Sequence, residues 1–158
     1  MRVGQGYDAH RFKDGTLVVL GGVEIPFEQG LAAHSDGDVL LHAICDALLG
    51  AAALGDIGRH FPDSDPLYKG VSSRVLLRRV KELLDDAGYN IINIDAVAIC
   101  ERPRISTHVE TMRANIAADT GLDIEAVNVK GTTTEKMGFT GRGEGIAASA
   151  VCLIESCG

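Results

Sequence analysis

The sequence predicts an α+β fold, a single domain over residues 1–158 in which helices pack on one face of a mixed sheet. Three observations lead to it. Short β-branched runs and 3.6-periodic runs follow one another in the order ββ, α, α, β, α, β, β, a mixture that suits helices laid on a sheet. No internal repeat, linker or low-complexity tract interrupts that order. The 158 residues are 46% hydrophobic and 23% charged, which gives length for one domain and apolar matter for one core.

The first strand is read over Arg2–Phe12, and a turn at Lys13-Asp14-Gly15 is expected to join it to a neighbour as a hairpin. That neighbour, Leu17–Ile25, is apolar and β-branched, with Gly21-Gly22 marking a bulge or turn and Pro26 closing it. Ser35–Ala53 is the clearest helix, with Ser35 or Asp36 as N-cap, a Leu/Ala-rich body and Gly55 at its end. Asp56–Pro66 is a polar loop. Ser72–Ala87 is a second helix, its stripe made by Val75, Leu76, Val80, Leu83 and Leu84 and its stop by Gly88. Ile91–Cys100 is a strand broken by Pro103. His108–Thr120 is a third helix ended by Gly121. Val127–Thr133 and Ile146–Ile154 are the closing strands.

A net charge of −7 disfavours nucleic acid as a partner, because such binding draws on Lys/Arg contacts to phosphates. No apolar run approaches the roughly 20 residues that span a bilayer, so no membrane partner is expected. The N-terminus carries no legible secretory or transit leader. Cys45, Cys100, Cys152 and Cys157 lack C-x-x-C spacing and read as free thiols in a cytoplasmic protein.

Four constellations can carry chemistry. Asp8 and His10, two apart on a strand, share a face and suit Zn²⁺ or a similar ion; for the pair alone, a surface carboxylate beside a core or hairpin histidine is the favoured reading. Asp38, His42 and Asp46 fall on one line of a helix. His42 can be a satisfied core residue or the third ligand of an open Asp/His/His metal site. Asp46 can orient His42 or stand as an exposed carboxylate. Ala33-His34-Ser35-Asp36-Gly37-Asp38 offers His34, Ser35 and backbone N–H groups to a phosphate, though N-capping also explains Ser35 and Asp36. Lys130–Lys136 and Gly138–Gly145 bring hydroxyls, bases and flexible backbone; Glu135 can hold Mg²⁺, or Thr132-x-x-Glu135 can be a capping box. Neither a P-loop nor a dinucleotide-binding glycine pattern is present, and no nucleophile elbow or Cys/His pairing appears.

Three blocks together are specific: Gly4-x-Gly6-Tyr7-Asp8-x-His10; Ala33–Asp38 through Asp56-Ile57-Gly58 and Phe61-Pro62-Asp63-Ser64-Asp65; and Lys130 through Gly145. On them the chain closely resembles the 2-C-methyl-D-erythritol 2,4-cyclodiphosphate synthase family from Met1 to Glu155. The resemblance implies a cytoplasmic lyase of isoprene biosynthesis by the non-mevalonate pathway. It implies a homotrimer with active sites between subunits. Asp8, His10 and His42 match zinc ligands, and Glu135 matches the residue that coordinates Mg²⁺ (or Mn²⁺) among substrate phosphates. His34 and Ser35 match a phosphate-contacting loop, and Thr132, Thr133 and Thr134 a second one; His34 and Thr133 are the implied catalytic residues. Asp56, Ile57 and Gly58 match the part that holds the methylerythritol, with Phe61, Pro62, Asp63, Ser64 and Asp65 beside it. Cys100, Glu101, Arg102, Pro103, Arg104, Ile105 and Ser106 match the segment enclosing the cytidine. Phe139 and Arg142 match further substrate-binding positions. Tyr7, Ala9, Arg104 and Gly131 stand where the family often has Phe, Val, Lys and Ala, and Arg104 keeps the charge with a different geometry.

The reaction so implied closes a cyclic diphosphate on a cytidine diphosphate substrate and expels CMP. Its nucleophile is already an anionic phosphate, so positioning and charge neutralisation are the main requirements. A metal-dependent phosphohydrolase acting on a nucleoside diphosphate derivative is the alternative, and a non-enzymatic binding trimer a third reading.

Overall fold

The computed structural model describes residues 1–158. The strands are β1 (Arg2–Asp14), β2 (Leu17–Leu20), β3 (Val23–Pro26), β4 (Gln29–Leu31), β5 (Tyr89–Ile99), β6 (Val127–Thr132) and β7 (Gly145–Ser156). The helices are α1 (Val39–Ala51), α2 (Ile57–His60), α3 (Ser73–Asp86), α4 (Val109–Thr120) and α5 (Gly138–Gly141). Five strands form a mixed sheet in the order β4-β1-β7-β5-β6. All neighbours are antiparallel except β5 and β6, which run parallel because α4 carries the chain back between them.

Alternation along β1 and β7 decides which face meets the helices. Gly4, Gly6, Ile146, Ala148, Ala150, Cys152 and Ile154 are buried on the helix side. Val3, Tyr7 and Val151 project from the other side and are 69%, 53% and 45% exposed, which leaves an apolar stripe on the open face. Helix α1 lies directly on the glycines of β1. A Cβ on Gly4 would sit 1.9 Å from the carbonyl oxygen of Ala47, and one on Gly6 would sit 1.9 Å from that of Ala43. Side chains at either position would lift the helix off the strand. Helix α1 is buried nearly all round, as a helix between a sheet and a second helix layer must be.

The structure alters four sequence expectations, the smallest being that the polar loop read over 56–66 carries the single-turn helix α2 (Ile57–His60). The first strand does not form a hairpin with Leu17–Ile25. It continues to Asp14 and pairs with β7 and β4, while Leu17–Pro26 folds back on itself as β2 and β3. The reason is Gly21-Gly22, whose φ values of +58° and +73° supply the turn that the Asp-Gly pair was expected to make. The main helix begins at Val39 rather than Ser35, and Asp38 is its cap, accepting from Leu41 N–H at 3.0 Å. Asp38 also accepts from the Gly21 and Gly22 N–H groups at 3.0 and 2.7 Å, so it clamps the β2–β3 turn to the start of α1. Thr132-x-x-Glu135 is no capping box, because Thr132 ends β6 and no helix follows within reach.

Candidate active site

Asp8 and His10 sit on the helix side of β1 just beyond Gly6, where α1 begins. The close approach at the glycines therefore brings His42 over them. Asp8 Oδ2 lies 3.0 Å from His10 Nε2 and 3.1 Å from His42 Nδ1, and the two ring nitrogens are 3.2 Å apart. A tetrahedral ion with bonds of about 2.0–2.1 Å sets its ligand atoms roughly 3.3 Å apart, so this donor set fits Zn²⁺. His42 is buried, whereas the Asp8 and His10 side chains keep an open side towards a cavity of about 510 Å³.

Charge agrees with this arrangement. Burial alone would raise the Asp8 carboxyl, but hydrogen bonds from His10 and His42 outweigh it and hold the group below the usual carboxylate range. Burial would lower His42, but its bond to Asp8 wins and raises it.

His42 Nε2 points the opposite way, 2.8 Å from Ser73 Oγ and 3.1 Å from Ser35 Oγ. The orienting role considered for Asp46 is not what the structure places there. Asp46 is half-buried, with its carboxyl pushed up by burial, and it accepts from Ile57 N–H at 2.9 Å, tying α2 to α1. Ser73 escaped the sequence reading because it resembles one of two helix-capping serines, and nothing in the sequence links it to His42.

The other expected residues divide between two cavities. His34, Ser35, Ile57, Gly58, Phe61, Pro62 and Asp63 line the metal-side cavity with Asp8, His10 and His42. His34 Nε2 is buried without a hydrogen-bond partner, an orphan that a bound ligand oxygen would satisfy. Asp56 caps α2 through Arg59 N–H at 2.9 Å, and Asp65 caps the turn at Pro66 through Leu67 N–H at 2.9 Å. Ser64 is exposed nearby. A second cavity of about 590 Å³ is lined by Cys100, Glu101, Pro103, Arg104, Ile105, Ser106, Thr132 and Thr133. Arg102 turns away from it, paired with Glu28 at 2.8 Å and lying over the Phe27 ring.

The Thr-Glu turn is fastened to this second cavity. Cys100 N–H donates to the Thr132 carbonyl at 3.1 Å, and Lys136 N–H donates to Glu101 Oε1 at 2.8 Å. Glu135 and Lys136 both adopt left-handed backbone, with φ of +53° and +64°, a strained conformation, and the exposed Glu135 carboxylate accepts from Thr133 Oγ1 at 3.3 Å. That carboxylate offers hard oxygens suited to Mg²⁺. Thr134 Oγ1 donates to the Met137 carbonyl at 2.6 Å and so holds the turn. Phe139 stands 40% exposed, and Arg142 pairs with Glu144 at 2.7 Å.

Comparison with known proteins agrees with this geometry. The YgbB family model matches residues 1–155. The chain is 66% identical over 156 residues to the 2-C-methyl-D-erythritol 2,4-cyclodiphosphate synthase of Thioalkalivibrio sulfidiphilus, covering 99% of this chain and 98% of that one. It is 61% identical to the synthase of the same name from Methylococcus capsulatus, covering 97% of each. Among solved structures, the Plasmodium falciparum IspF in complex with CDP superposes with a TM-score of 0.86 at 35% identity, covering 99% of this chain and 97% of that one. The bifunctional IspDF of Campylobacter jejuni gives a TM-score of 0.94 at 42% identity over 98% of this chain, which spans 42% of that longer protein. A match of this extent in sequence, with the same fold, places the chain in the YgbB family of 2-C-methyl-D-erythritol 2,4-cyclodiphosphate synthases.

Proposed function

We propose that the chain converts 4-diphosphocytidyl-2-C-methyl-D-erythritol 2-phosphate to 2-C-methyl-D-erythritol 2,4-cyclodiphosphate with release of CMP. The observation that carries the reading is the convergence of Asp8, His10 and His42 on one point at the wall of a cavity, in a chain of this family. An oxygen of the 2-phosphate attacks the β-phosphorus of the diphosphate. A new P–O–P bond forms, the bond from the β-phosphorus to the bridging oxygen breaks, and CMP leaves with the electron pair.

The chain's residues position and neutralise rather than abstract a proton, because the nucleophile is an anion already. Asp8, His10 and His42 would hold Zn²⁺, and Glu135 would hold Mg²⁺ or Mn²⁺ arriving with the diphosphate. Bound there, these ions supply positive charge at the phosphate oxygens. The orphan nitrogen of His34 and the Ser35 hydroxyl take phosphate oxygens at the metal-side cavity. Thr132, Thr133 and Thr134 do so at the other, with His34 and Thr133 nearest the reaction. Asp56, Ile57 and Gly58, with Phe61 through Asp65, cradle the methylerythritol. Cys100 through Ser106 enclose the cytidine, and Phe139 and Arg142 complete the site.

One substrate must touch both cavities, which supports a homotrimer whose sites combine the metal side of one subunit with the nucleotide side of the next. The apolar stripe of Val3, Tyr7 and Val151 on the open sheet face supports the same assembly. Residues 1–158 act as one domain. The free cysteines, three of them buried, suit a cytoplasmic enzyme. No helix is long and apolar enough to cross a membrane.

Turnover in ¹⁸O-labelled water tests the reaction class. A cyclising lyase releases CMP and a cyclic product that carry no label. A phosphohydrolase would place one labelled oxygen on its linear product, and that outcome would overturn the proposal.

A further inference from the structure

We propose that Asp36 and Ser73 form a relay that fixes the tautomer and ring plane of His42, which makes both of them positioning residues for the metal centre. The proposal rests on the reading of Asp8, His10 and His42 as metal ligands. Ser73 is the first residue of α3 and is wholly buried. Its N–H donates to Asp36 Oδ2 at 3.0 Å and its hydroxyl donates to Asp36 Oδ1 at 2.5 Å. A serine hydroxyl has one proton, and a carboxylate only accepts. With that proton committed to Asp36, Ser73 Oγ presents lone pairs to His42 Nε2 at 2.8 Å. With Nδ1, the nitrogen that faces Asp8 and His10, given to a metal, the ring proton sits on Nε2 and is donated to Ser73 Oγ.

Ser35 Oγ also lies 3.1 Å from Nε2, at a longer distance and with no carboxylate holding its proton. With Ser73 as the nearer acceptor, Ser35 remains free to turn its hydroxyl to a phosphate. The relay also ties three parts of the chain together. Asp36 precedes α1 and accepts from Asp38 N–H at 3.1 Å, while Ser73 opens α3 and His42 lies on α1. Groups that hold the far nitrogen of a ligating histidine fix its direction and tautomer, and their loss costs about 10–100-fold in metal affinity.

Competition of Zn²⁺ against a chelator gives affinity, and proton–nitrogen NMR of the Zn²⁺-loaded wild type reads the His42 Nε2–H directly. The relay predicts an Nε2–H that exchanges slowly with solvent, because Ser73 Oγ accepts it. Ser73→Ala keeps the Ser72 cap of α3; it should weaken Zn²⁺ binding about tenfold and speed the exchange of that proton. Asp36→Asn should weaken binding at least as much. Should Asp36→Asn fail to fold, the wild-type Nε2–H and Ser73→Ala decide alone. An Nε2–H that exchanges as fast in the wild type as in Ser73→Ala, or a folded Ser73→Ala that binds Zn²⁺ as tightly as the wild type, would overturn the relay. A wild type that binds no Zn²⁺ removes the metal reading, and the relay's positioning role falls with it.

Discussion

His42 is gripped at both ring nitrogens, one by hydroxyls and one by the Asp8 carboxylate, and each grip has a measurable consequence. The Asp8 contact raises the His42 pKa against the lowering effect of burial. In metal-free protein, that ion pair contributes stability that is complete below the ordinary histidine value. The contribution is lost as pH rises through the raised one. Zn²⁺ needs the bare nitrogen, so protons compete with it. The rise in melting temperature caused by Zn²⁺ should be larger at about pH 8 than at about pH 6, where His42 holds its proton. An equal rise at both values would contradict the assignment. His42→Ala should fold, lose the metal and lose turnover; full metal occupancy in that variant would remove His42 from the site. At this scale the sequence was partly legible. Strand spacing puts Asp8 and His10 on one face, and His42 interrupts an apolar helix. Their meeting depends on two glycines and a helix approach that no spacing rule encodes. Ser73 lies 31 residues from His42, so only the fold joins them.

Elements carry the site because α1 rests on the bare backbone of β1. Gly6→Ala would place a methyl group 1.9 Å from the Ala43 carbonyl oxygen. The helix must then move outward, at a cost of about 1–3 kcal/mol, and His42 moves with it. Denaturant unfolding and Zn²⁺ competition should both register the change, and an unchanged affinity would break the link between this contact and the metal site. Asp38 holds the other end of the same helix. Burial pushes its carboxyl up to about 6, yet three backbone N–H groups depend on it. Asp38→Ala should cost about 2–3 kcal/mol, since it strands those donors in the interior; a loss below about 0.5 kcal/mol in the same unfolding measurement would contradict this role. The long helices and the closing strands were legible from periodicity and glycine stops. The first hairpin was not. Asp-Gly and Gly-Gly compete for the turn, and the second pair wins with both residues at positive φ. Helices α2 and α5 are single turns fixed by caps and neighbours, so no periodic signal foretells them.

The whole molecule presents two cavities lined by the candidate residues and an apolar stripe on the open sheet face. The proposed trimer, joining one subunit's metal side to another's nucleotide side, would account for both. Val151→Asp adds a charge to that face without touching the metal ligands. It should give a monomer by sedimentation that retains Zn²⁺ and loses turnover, whereas a fully active monomer would contradict a shared site. The class of fold and the cluster of candidate residues were legible in the sequence. The division of those residues between separate cavities was not, because it is a property of surfaces rather than of spacing. The central claim is metal-dependent cyclisation, and phosphorus NMR of the purified protein with the diphosphocytidyl substrate and Mg²⁺ tests it most directly. Two coupled resonances of a cyclic diphosphate should appear together with CMP and vanish when a chelator is added. A linear phosphate product, or turnover that survives removal of the metals, would contradict it.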